Sequence, residues 1–309
     1  MGSSIVFSAW FLSAIRFSRK GLAYRGALLL PIIEPVLTVA ADRNSSHAEE
    51  GQYIKTSLHL KPRYHRWHVD PGVEWIEANT APAHLDWRVP VPQVALVLVD
   101  VWQAHYLVDT GERAEQIIQN RLLPLIDACR QAGVAVVHAP SPPQAKSSSA
   151  WLQAPGWDRK PWPDDPAWPP PDFRSFRGDY AGYAGPEEPR DAEREAHRSA
   201  LRMHPQVKPD GEEPVVATGE ELHLYCKEQG ILFLLFAGFN TNACILLRDY
   251  GTLDMSRRGY AVLIVRDCTT GMESRQTHAE LRQTRGAIEF LEMFGKYSVE
   301  STEVISGLQ

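Results

Sequence analysis

From residue 93 onward, short apolar runs alternate with longer amphipathic segments. The runs are VALVLVD (94–100), VAVVHAP (134–140), ILFLLFAG (231–238) and YAVLIVRD (260–267). Continuous apolar runs rich in β-branched residues are typical of strands that are covered on both faces in a parallel sheet. Because strands alternate with helices, the pattern predicts right-handed βαβ units. We therefore expect an α/β fold, a three-layer Rossmann-like sandwich with a mostly parallel six-stranded sheet and helices on both faces.

Local signals refine this expectation at the helix starts and at the two ends of the chain. Capping boxes are indicated at Asp109-x-x-Glu112, Thr218-x-x-Glu221 and Thr277-x-x-Glu280. Pro124 should kink the first helix or begin a second one. The segment 56–70 is predicted as a strand or hairpin arm, 71–90 as a loop, and YSVESTEVI (297–305) as a terminal strand.

The chain divides into three predicted regions. Residues 1–41 are signal-like or a presequence, residues 42–92 are an extension packed on the core, and residues 93–309 are the main domain with an insertion at about 141–205. The apolar run at 26–41 is too short, and too broken by proline, to span a bilayer. Export after cleavage of the signal is the leading interpretation. The alternatives are an organelle presequence and an over-extended start codon. A cytoplasmic protein is the alternative to export.

Charge and motifs narrow the ligand class. The net charge is −6 and no block of Lys or Arg follows a face, so a nucleic-acid partner has little electrostatic support. The segment VDVWQAHY (99–106) after the first strand has no G-x-G-x-x-G or P-loop pattern to bind a phosphate. We expect a small-molecule ligand and no nucleotide cofactor.

In open parallel sheets, ligands bind beyond the carboxyl ends of the strands. The predicted strands end in Asp100, in His138, in the Gly238–Cys244 turn and in Asp267-Cys268. These residues are therefore the first candidates for a functional site.

Cys244 has the position of a nucleophile. With Thr241 as the N-cap, Cys244 would occupy the third helical position, where free N–H groups and the helix dipole favour a thiolate. The same N–H groups could bind an oxyanion, and Asp100 could accept the thiol proton. By position alone, a small core residue is the competing interpretation. A redox-responsive thiol is another, and its mark would be a resolving cysteine near Cys244.

Several motifs together resemble the isochorismatase-like cysteine hydrolase superfamily, which includes nicotinamidases, N-carbamoylsarcosine amidases and ureidoacrylate or biuret hydrolases. They are the strand-end Asp100, Gly238-x-x-Thr241-x-x-Cys244, GYAVLIVRDCTTG (259–271) and THAELRQT (277–284). The resemblance covers roughly residues 93–300.

The resemblance implies an Asp-Lys-Cys triad at Asp100, Lys208 and Cys244. Lys208 is chosen because it precedes the helix at 219–229 by the distance usual in the family, whereas Lys146 and Lys160 lie in the insertion and Lys227 lies late in a helix. The family also implies a cis peptide at Phe239-Asn240, next to Thr241, with the N–H groups of Asn240 and Cys244 facing the oxyanion.

The activity that the resemblance implies is hydrolysis of a small C–N amide or ureido bond through a thioester. Two alternatives are open: a catalytically silent binding or assembly protein, and a vinyl-ether hydrolase, which does not need the cysteine. Neither the metal ligands of nicotinamidases nor a zinc set can be assembled from His105 and His138, so no metal or cofactor is expected.

Trp102, His105, His138 and Arg177 are the candidate pocket residues. The Trp- and Pro-rich insertion is expected to be either a lid over Cys244, with Arg174 or Arg177 for a substrate carboxylate, or an arm across a subunit interface. The interface is preferred, so a homo-oligomer is expected. Within the insertion, PRDAEREAHR (189–198) is predicted as a solvated helix face.

Overall fold

The computed structural model describes residues 57–154 and 165–309. The signal-like segment 1–41, the first residues of the predicted extension and residues 155–164 of the insertion lie outside the described residues. The strands are β1 (Ser57–Leu60), β2 (Arg63–Arg66), β3 (Ala81–His84), β4 (Trp87–Pro90), β5 (Val94–Val99), β6 (Ala135–Ala139), β7 (Phe233–Phe239), β8 (Ala261–Thr270) and β9 (Tyr297–Val299). The helices are α1 (Val108–Ile117), α2 (Leu123–Ala132), α3 (Pro142–Lys146), α4 (Pro171–Arg174), α5 (Asp191–Ala200), α6 (Gly219–Gln229), α7 (Cys244–Leu247), α8 (Thr252–Arg257), α9 (Arg282–Met293) and α10 (Ser301–Leu308).

The described residues form a mostly parallel seven-stranded sheet in the order β3-β2-β9-β8-β7-β5-β6. The pairs from β9 through β6 are parallel, whereas β2 pairs antiparallel with both β9 and β3. The α/β architecture and the mostly parallel sheet are confirmed. The sheet has seven strands instead of six because the hairpin β2–β3 extends its edge.

Burial explains why the sheet is central. Every residue of β5 is buried, as the continuous run VALVLV requires when both faces of a strand are covered. Leu96 and Leu98 pack on one face with α1, α2 and α10, whereas Val97 and Val99 pack on the other with α6, α8 and α9. The alternation along one strand therefore supplies two layers of apolar core.

The N-terminal segment contains more regular structure than its sequence indicates. Residues 71–90, predicted as a loop, include β3 and β4. β4 pairs with β1 in a separate two-stranded antiparallel sheet, and β1 packs against α10. Pro82 within β3 and Pro90 at the end of β4 hide the strand pattern in the sequence.

The predicted C-terminal strand is wrong after its third residue, where α10 begins. The carboxylate of Asp267 accepts hydrogen bonds from the backbone N–H of Ser301 at 2.7 Å and from the Ser301 hydroxyl at 2.6 Å. These bonds satisfy the helix start, and Val304 and Leu308 then bury the apolar face of α10.

The capping predictions had mixed outcomes. Thr218 and Glu221 form the expected reciprocal box at the start of α6. The box expected at Asp109 is absent, because α1 begins at Val108 and the Asp109 carboxylate accepts a bond from its neighbour Thr110. Thr277 likewise does not cap a helix; a short 3-10 turn follows it and α9 begins only at Arg282.

The segment that begins at Cys244 consists of the two short helices α7 and α8. The chain breaks at Arg248, whose backbone is extended, and Gly251 precedes α8. A Cβ on Gly251 would lie 2.7 Å from the carbonyl oxygen of Ile245 and 2.8 Å from that of Arg248, so this compact break needs glycine. No helix among the described residues has the length and apolar character required to cross a membrane.

Candidate active site

The carboxyl ends of β5, β6 and β7 meet at one edge of the sheet and bring Asp100, Ser141 and Cys244 together. A cavity of about 610 Å³ opens above them. It is lined by Asp100, Trp102, Ala104, His105, Tyr106, Ser141, Asp191, Arg194, Glu195, His197, Arg198, Leu201, Asn240 and Cys244. Asp100 and Cys244, which the sequence places 144 positions apart, therefore share the floor of one site.

The turn that carries Cys244 is fixed against the end of β8. The Thr241 N–H donates to the Thr270 carbonyl at 3.1 Å, and the hydroxyls of Thr241 and Thr269 share a hydrogen bond of 2.6 Å. The peptide bond between Phe239 and Asn240 is cis. Thr241 thus acts as a buried anchor of the turn and not as the N-cap of α7, which begins at Cys244 itself.

Asp100 is buried and has the left-handed backbone conformation, with φ 44°. Its carboxylate accepts a hydrogen bond of 2.8 Å from the Ser141 hydroxyl and one from the Cys244 thiol. Burial raises the pKa of Asp100, while the bonds from Cys244 and Ser141 and the charge of Arg248 act in the opposite direction. A carboxylate of this kind is a stronger base than a solvated aspartate.

The Cys244 thiol differs from the expected thiolate. Burial, together with the negative charge of Asp100, raises its pKa to about 12. The helix dipole contributes little because α7 has only four residues. The neutral thiol therefore donates to the Asp100 carboxylate, and a thiolate forms only when Asp100 takes the proton.

The cation of this group is Arg248. Its Nη2 atom donates to the Ser141 hydroxyl at 3.2 Å and lies 4.0 Å from Oδ2 of Asp100. Its side chain also hydrogen-bonds to Cys244 and lowers the pKa of that thiol. Arg248 thus contacts all three polar members of the group.

Lys208, which the resemblance implies for this role, is exposed and is not among the residues that line the cavity. Its carbonyl oxygen accepts a hydrogen bond of 3.1 Å from Nη2 of Arg130 in the last turn of α2. The structure does not bring Lys208 to Asp100 and Cys244.

His138 is inside β6 and does not line the cavity. Its Nε2 atom hydrogen-bonds to Oε2 of Glu213 at 2.9 Å, and Glu213 also accepts two bonds, of 2.7 and 2.8 Å, from Arg130. The strand ends one residue later, at Ala139. The structure therefore places His138 in a buried polar cluster with Arg130 and Glu213 instead of in the pocket.

Trp102 and His105 both line the cavity. The Trp102 ring packs at a tilt against the rings of Phe239 and His105, with centroids 4.9 and 5.0 Å apart. Burial lowers the pKa of His105, whose Nδ1 atom accepts a bond from the Leu107 N–H at 3.1 Å. The two rings thus form a wall whose imidazole is neutral near pH 7.

The insertion contributes to the cavity wall through α5 and not through Arg177, which is exposed and does not line the cavity. Arg194 lies over the Tyr106 ring, with its guanidinium carbon 5.4 Å from the centroid. Just after α5, Trp102 and Met203 form an antiparallel bridge that joins the insertion to the loop after β5. The segment predicted as a solvated helix face is thus mostly exposed but also forms a cavity wall.

Asn240 is buried, lines the cavity and carries an unpaired acceptor. Its Oδ1 atom has no hydrogen-bond partner among the described residues, although it is inaccessible to solvent. A buried acceptor without a partner is costly.

Sequence reasoning missed Ser141, Arg194 and Arg248. Ser141 had a usable signal, because it follows the second strand by only two residues. Arg248 and Arg194 had none, because a helix break and an irregular insertion bring them to the site. Within residues 57–154 and 165–309, no group of three or more His, Cys, Asp or Glu side chains is placed to hold a metal ion.

Comparison with known proteins gives one family match. The model of the isochorismatase domain matches residues 94–293, which is more than half of the chain. No curated protein matches the chain.

Several solved structures are similar in fold. A cysteine hydrolase from Pseudomonas syringae pv. phaseolicola is 15% identical over 72% of this chain and 95% of its own, with a TM-score of 0.44. An isochorismatase family protein from Burkholderia thailandensis is 15% identical over 70% and 96%, with a TM-score of 0.41. N-carbamoylsarcosine amidase from Thermoplasma acidophilum is 14% identical over 68% and 96%, with a TM-score of 0.39.

Proposed function

This chain belongs to the isochorismatase family and is a hydrolase of that family, and from this premise we propose that it cleaves a small C–N amide or ureido bond through a thioester on Cys244. The observation that carries the proposal is the hydrogen bond between the Cys244 thiol and the buried carboxylate of Asp100. A thiol held by a base is the arrangement that nucleophilic catalysis requires.

The proposed reaction begins with proton transfer. Asp100 takes the proton of Cys244 as the sulfur attacks the carbonyl carbon of the substrate, and the negative charge moves to the carbonyl oxygen. The N–H of Cys244, at the first position of α7, has no carbonyl of its own helix to bind and can donate to this oxyanion. The C–N bond then breaks, and protonated Asp100 gives its proton to the departing nitrogen.

The second half of the reaction regenerates the enzyme. Asp100, again a carboxylate, takes a proton from water, and the resulting hydroxide attacks the thioester carbon. The C–S bond breaks and the acid is released, while the proton on Asp100 returns to the sulfur of Cys244. One residue thus serves as base and acid in both halves, which suits a pKa above the ordinary aspartate range.

Arg194 lines the cavity and supports a substrate that carries a carboxylate beside the C–N bond, because a guanidinium binds a carboxylate through two parallel hydrogen bonds.

The test is an ammonia-release screen of primary amides, N-carbamoyl amino acids and ureides with the wild type, Cys244→Ser and Asp100→Asn. Cys129→Ala is the matched control, because Cys129 is a buried core cysteine outside the cavity. We expect release by the wild type and the control and a loss of at least about 10³-fold in the other two variants. A covalent adduct on Cys244 should appear in the intact mass during turnover.

Two results would overturn the proposal. Hydrolysis that survives in Cys244→Ser would show that the cysteine is not the nucleophile, as in a vinyl-ether hydrolase. No hydrolysis of any compound, together with a Cys244 that iodoacetamide alkylates no faster than buried Cys129 across the pH range, would favour the catalytically silent alternative.

A further inference from the structure

Asp100 and Cys244 have no lysine in contact with them within residues 57–154 and 165–309. Lys208 is exposed and outside the cavity, and the cation that shifts the pKa values of both Asp100 and Cys244 is Arg248. The sequence did not indicate Arg248, since a break between two short helices brings it to the site.

The break between α7 and α8 holds Arg248 beside Cys244. The Arg248 N–H donates to the Cys244 carbonyl at 3.2 Å, and its own carbonyl accepts a bond of 2.8 Å from the Gly251 N–H. Both ends of this residue are therefore bonded to the turn that also carries the nucleophile. The Arg248 side chain is 36% exposed, and its guanidinium reaches inward to Ser141.

The guanidinium connects to the carboxylate in two ways. Its Nη2 atom lies 4.0 Å from Oδ2 of Asp100, and the same atom donates at 3.2 Å to the Ser141 hydroxyl, which donates at 2.8 Å to Oδ1 of Asp100. The serine thus links the two charged groups and fixes the carboxylate orientation.

We propose that Arg248 is the cationic member of the catalytic group and takes the place that a lysine has in related hydrolases. The inference rests on the proposed function. In the first step the S–H bond of Cys244 breaks and an O–H bond forms on Asp100, so one negative charge moves from the carboxylate to the sulfur. Arg248 contacts both atoms and stabilises the charge throughout this movement.

An arginine has a consequence that a lysine does not share. A guanidinium stays protonated at every pH at which the protein is folded, so it cannot donate or accept a proton during the reaction. All proton transfers then pass through Asp100. The alkaline limb of the activity profile should therefore contain no contribution from the cation.

The experiment measures the rate at which iodoacetamide alkylates Cys244 as a function of pH, which needs no substrate. The variants are Arg248→Ala, Arg248→Lys and Lys208→Ala. Arg257→Ala is the control, because the Arg257 side chain is 78% exposed and pairs with Asp254 within α8. We expect Arg248→Ala to lower the rate at pH 7 by about 10–100-fold, the value of a charge-assisted hydrogen bond. Arg248→Lys should keep part of the rate, and the other two variants should match the wild type.

Chemical rescue separates an electrostatic role from a structural one. Millimolar guanidinium should restore part of the alkylation rate to Arg248→Ala, whereas urea, which is similar in shape and neutral, should not. Equal rescue by both compounds, no rescue, or a rate lost in Lys208→Ala and kept in Arg248→Ala would overturn the assignment.

Failure of the Arg248 assignment and failure of the proposed function would give different results. If Cys244→Ser loses amide hydrolysis but Arg248→Ala keeps both hydrolysis and alkylation, only the role of Arg248 is wrong. If Arg248 controls alkylation but hydrolysis survives in Cys244→Ser, the proposed function is wrong, and the electrostatic role of Arg248 beside Cys244 still holds.

Discussion

Gly238 approaches Val99 so closely that a Cβ on Gly238 would lie 2.0 Å from the Val99 carbonyl oxygen. The glycine also has φ 109°, a conformation that other residues rarely adopt. The contact joins the ends of β5 and β7, directly before Asp100 on one strand and before the Phe239–Cys244 turn on the other. It therefore sets the distance between base and nucleophile.

Gly238→Ala should be severely destabilising, by more than about 4 kcal/mol, because both the φ value and the Val99 backbone oppose a side chain. Denaturant unfolding measures the effect. Gly230→Ala is the control: Gly230 has φ 72° and nothing within 4 Å of its added Cβ, so we expect a cost of only about 1–2 kcal/mol. Equal costs for the two variants would contradict the importance of this contact.

Asp100→Asn should abolish activity and raise stability. The folded protein raises the pKa of Asp100, so burying its charge at neutral pH opposes folding, and this cost disappears below the unfolded pKa. A neutral amide should therefore stabilise by about 1 kcal/mol, a rise of about 2–4 °C in Tm. The stability advantage of Asp100→Asn over the wild type should shrink as the pH falls below the pKa of Asp100 in the folded protein. Asp127→Asn, at an exposed position of α2, should leave Tm unchanged, and a lower Tm for Asp100→Asn at pH 7 would contradict the argument.

Ser141→Ala should move the acid limb of kcat/KM to higher pH. The Ser141 hydroxyl favours the charged form of Asp100, so without it the pKa of Asp100 rises and the base appears only at higher pH. We expect a loss of about 10-fold near neutral pH that diminishes at alkaline pH. Ser147→Ala, on an exposed serine after α3, should keep the wild-type profile. A loss of equal size at every pH would show that Ser141 does not act through Asp100.

Glu213→Gln should destabilise the fold by about 3 kcal/mol at pH 7. Despite burial, the hydrogen bonds from Arg130 and His138 hold the pKa of Glu213 at about 2. The stabilisation by the Glu213 charge is fully present above the pKa of the unfolded state and is lost as the pH falls toward 2. The difference in unfolding free energy between wild type and variant should therefore narrow between about pH 4.5 and 2. Unfolding by urea across this range measures it. Glu212→Gln, at the exposed neighbouring position, should show no such difference; a pH-independent effect for Glu213→Gln would exclude the charge as its cause.

Arg194→Ala should raise KM for substrates that carry a carboxylate by about 10-fold and leave kcat nearly unchanged, because Arg194 lines the cavity and would bind the carboxylate and not the reacting bond. Neutral amides should be unaffected. Arg190→Ala is the control on the same helix region, since Arg190 pairs with Glu193 in solvent and does not line the cavity. Equal effects on charged and neutral substrates would exclude a carboxylate-binding role.

The order of strands and helices could be read from the sequence because it depends on local periodicity. The buried run of β5 and the capping box of α6 are local in this sense, and both have the predicted form. The strand-end rule then placed Asp100 and Cys244 in the same region, because parallel strands deliver their carboxyl ends to one edge. A pattern of a few residues was enough for each of these inferences.

The sequence by itself determined the α/β fold and the two residues at the ends of its strands, since each follows from residues adjacent in the chain. Only the tertiary structure decided which cation lies beside Asp100 and Cys244 and that α5 lines the cavity. It also decided that His138 hydrogen-bonds to Glu213 and lies outside the cavity. Arg248 reaches Asp100 and Ser141 through a break in a helix and across 148 and 107 positions of the chain. Contacts of that kind depend on register, packing and side-chain direction, and none of these is encoded in the periodicity of a single segment.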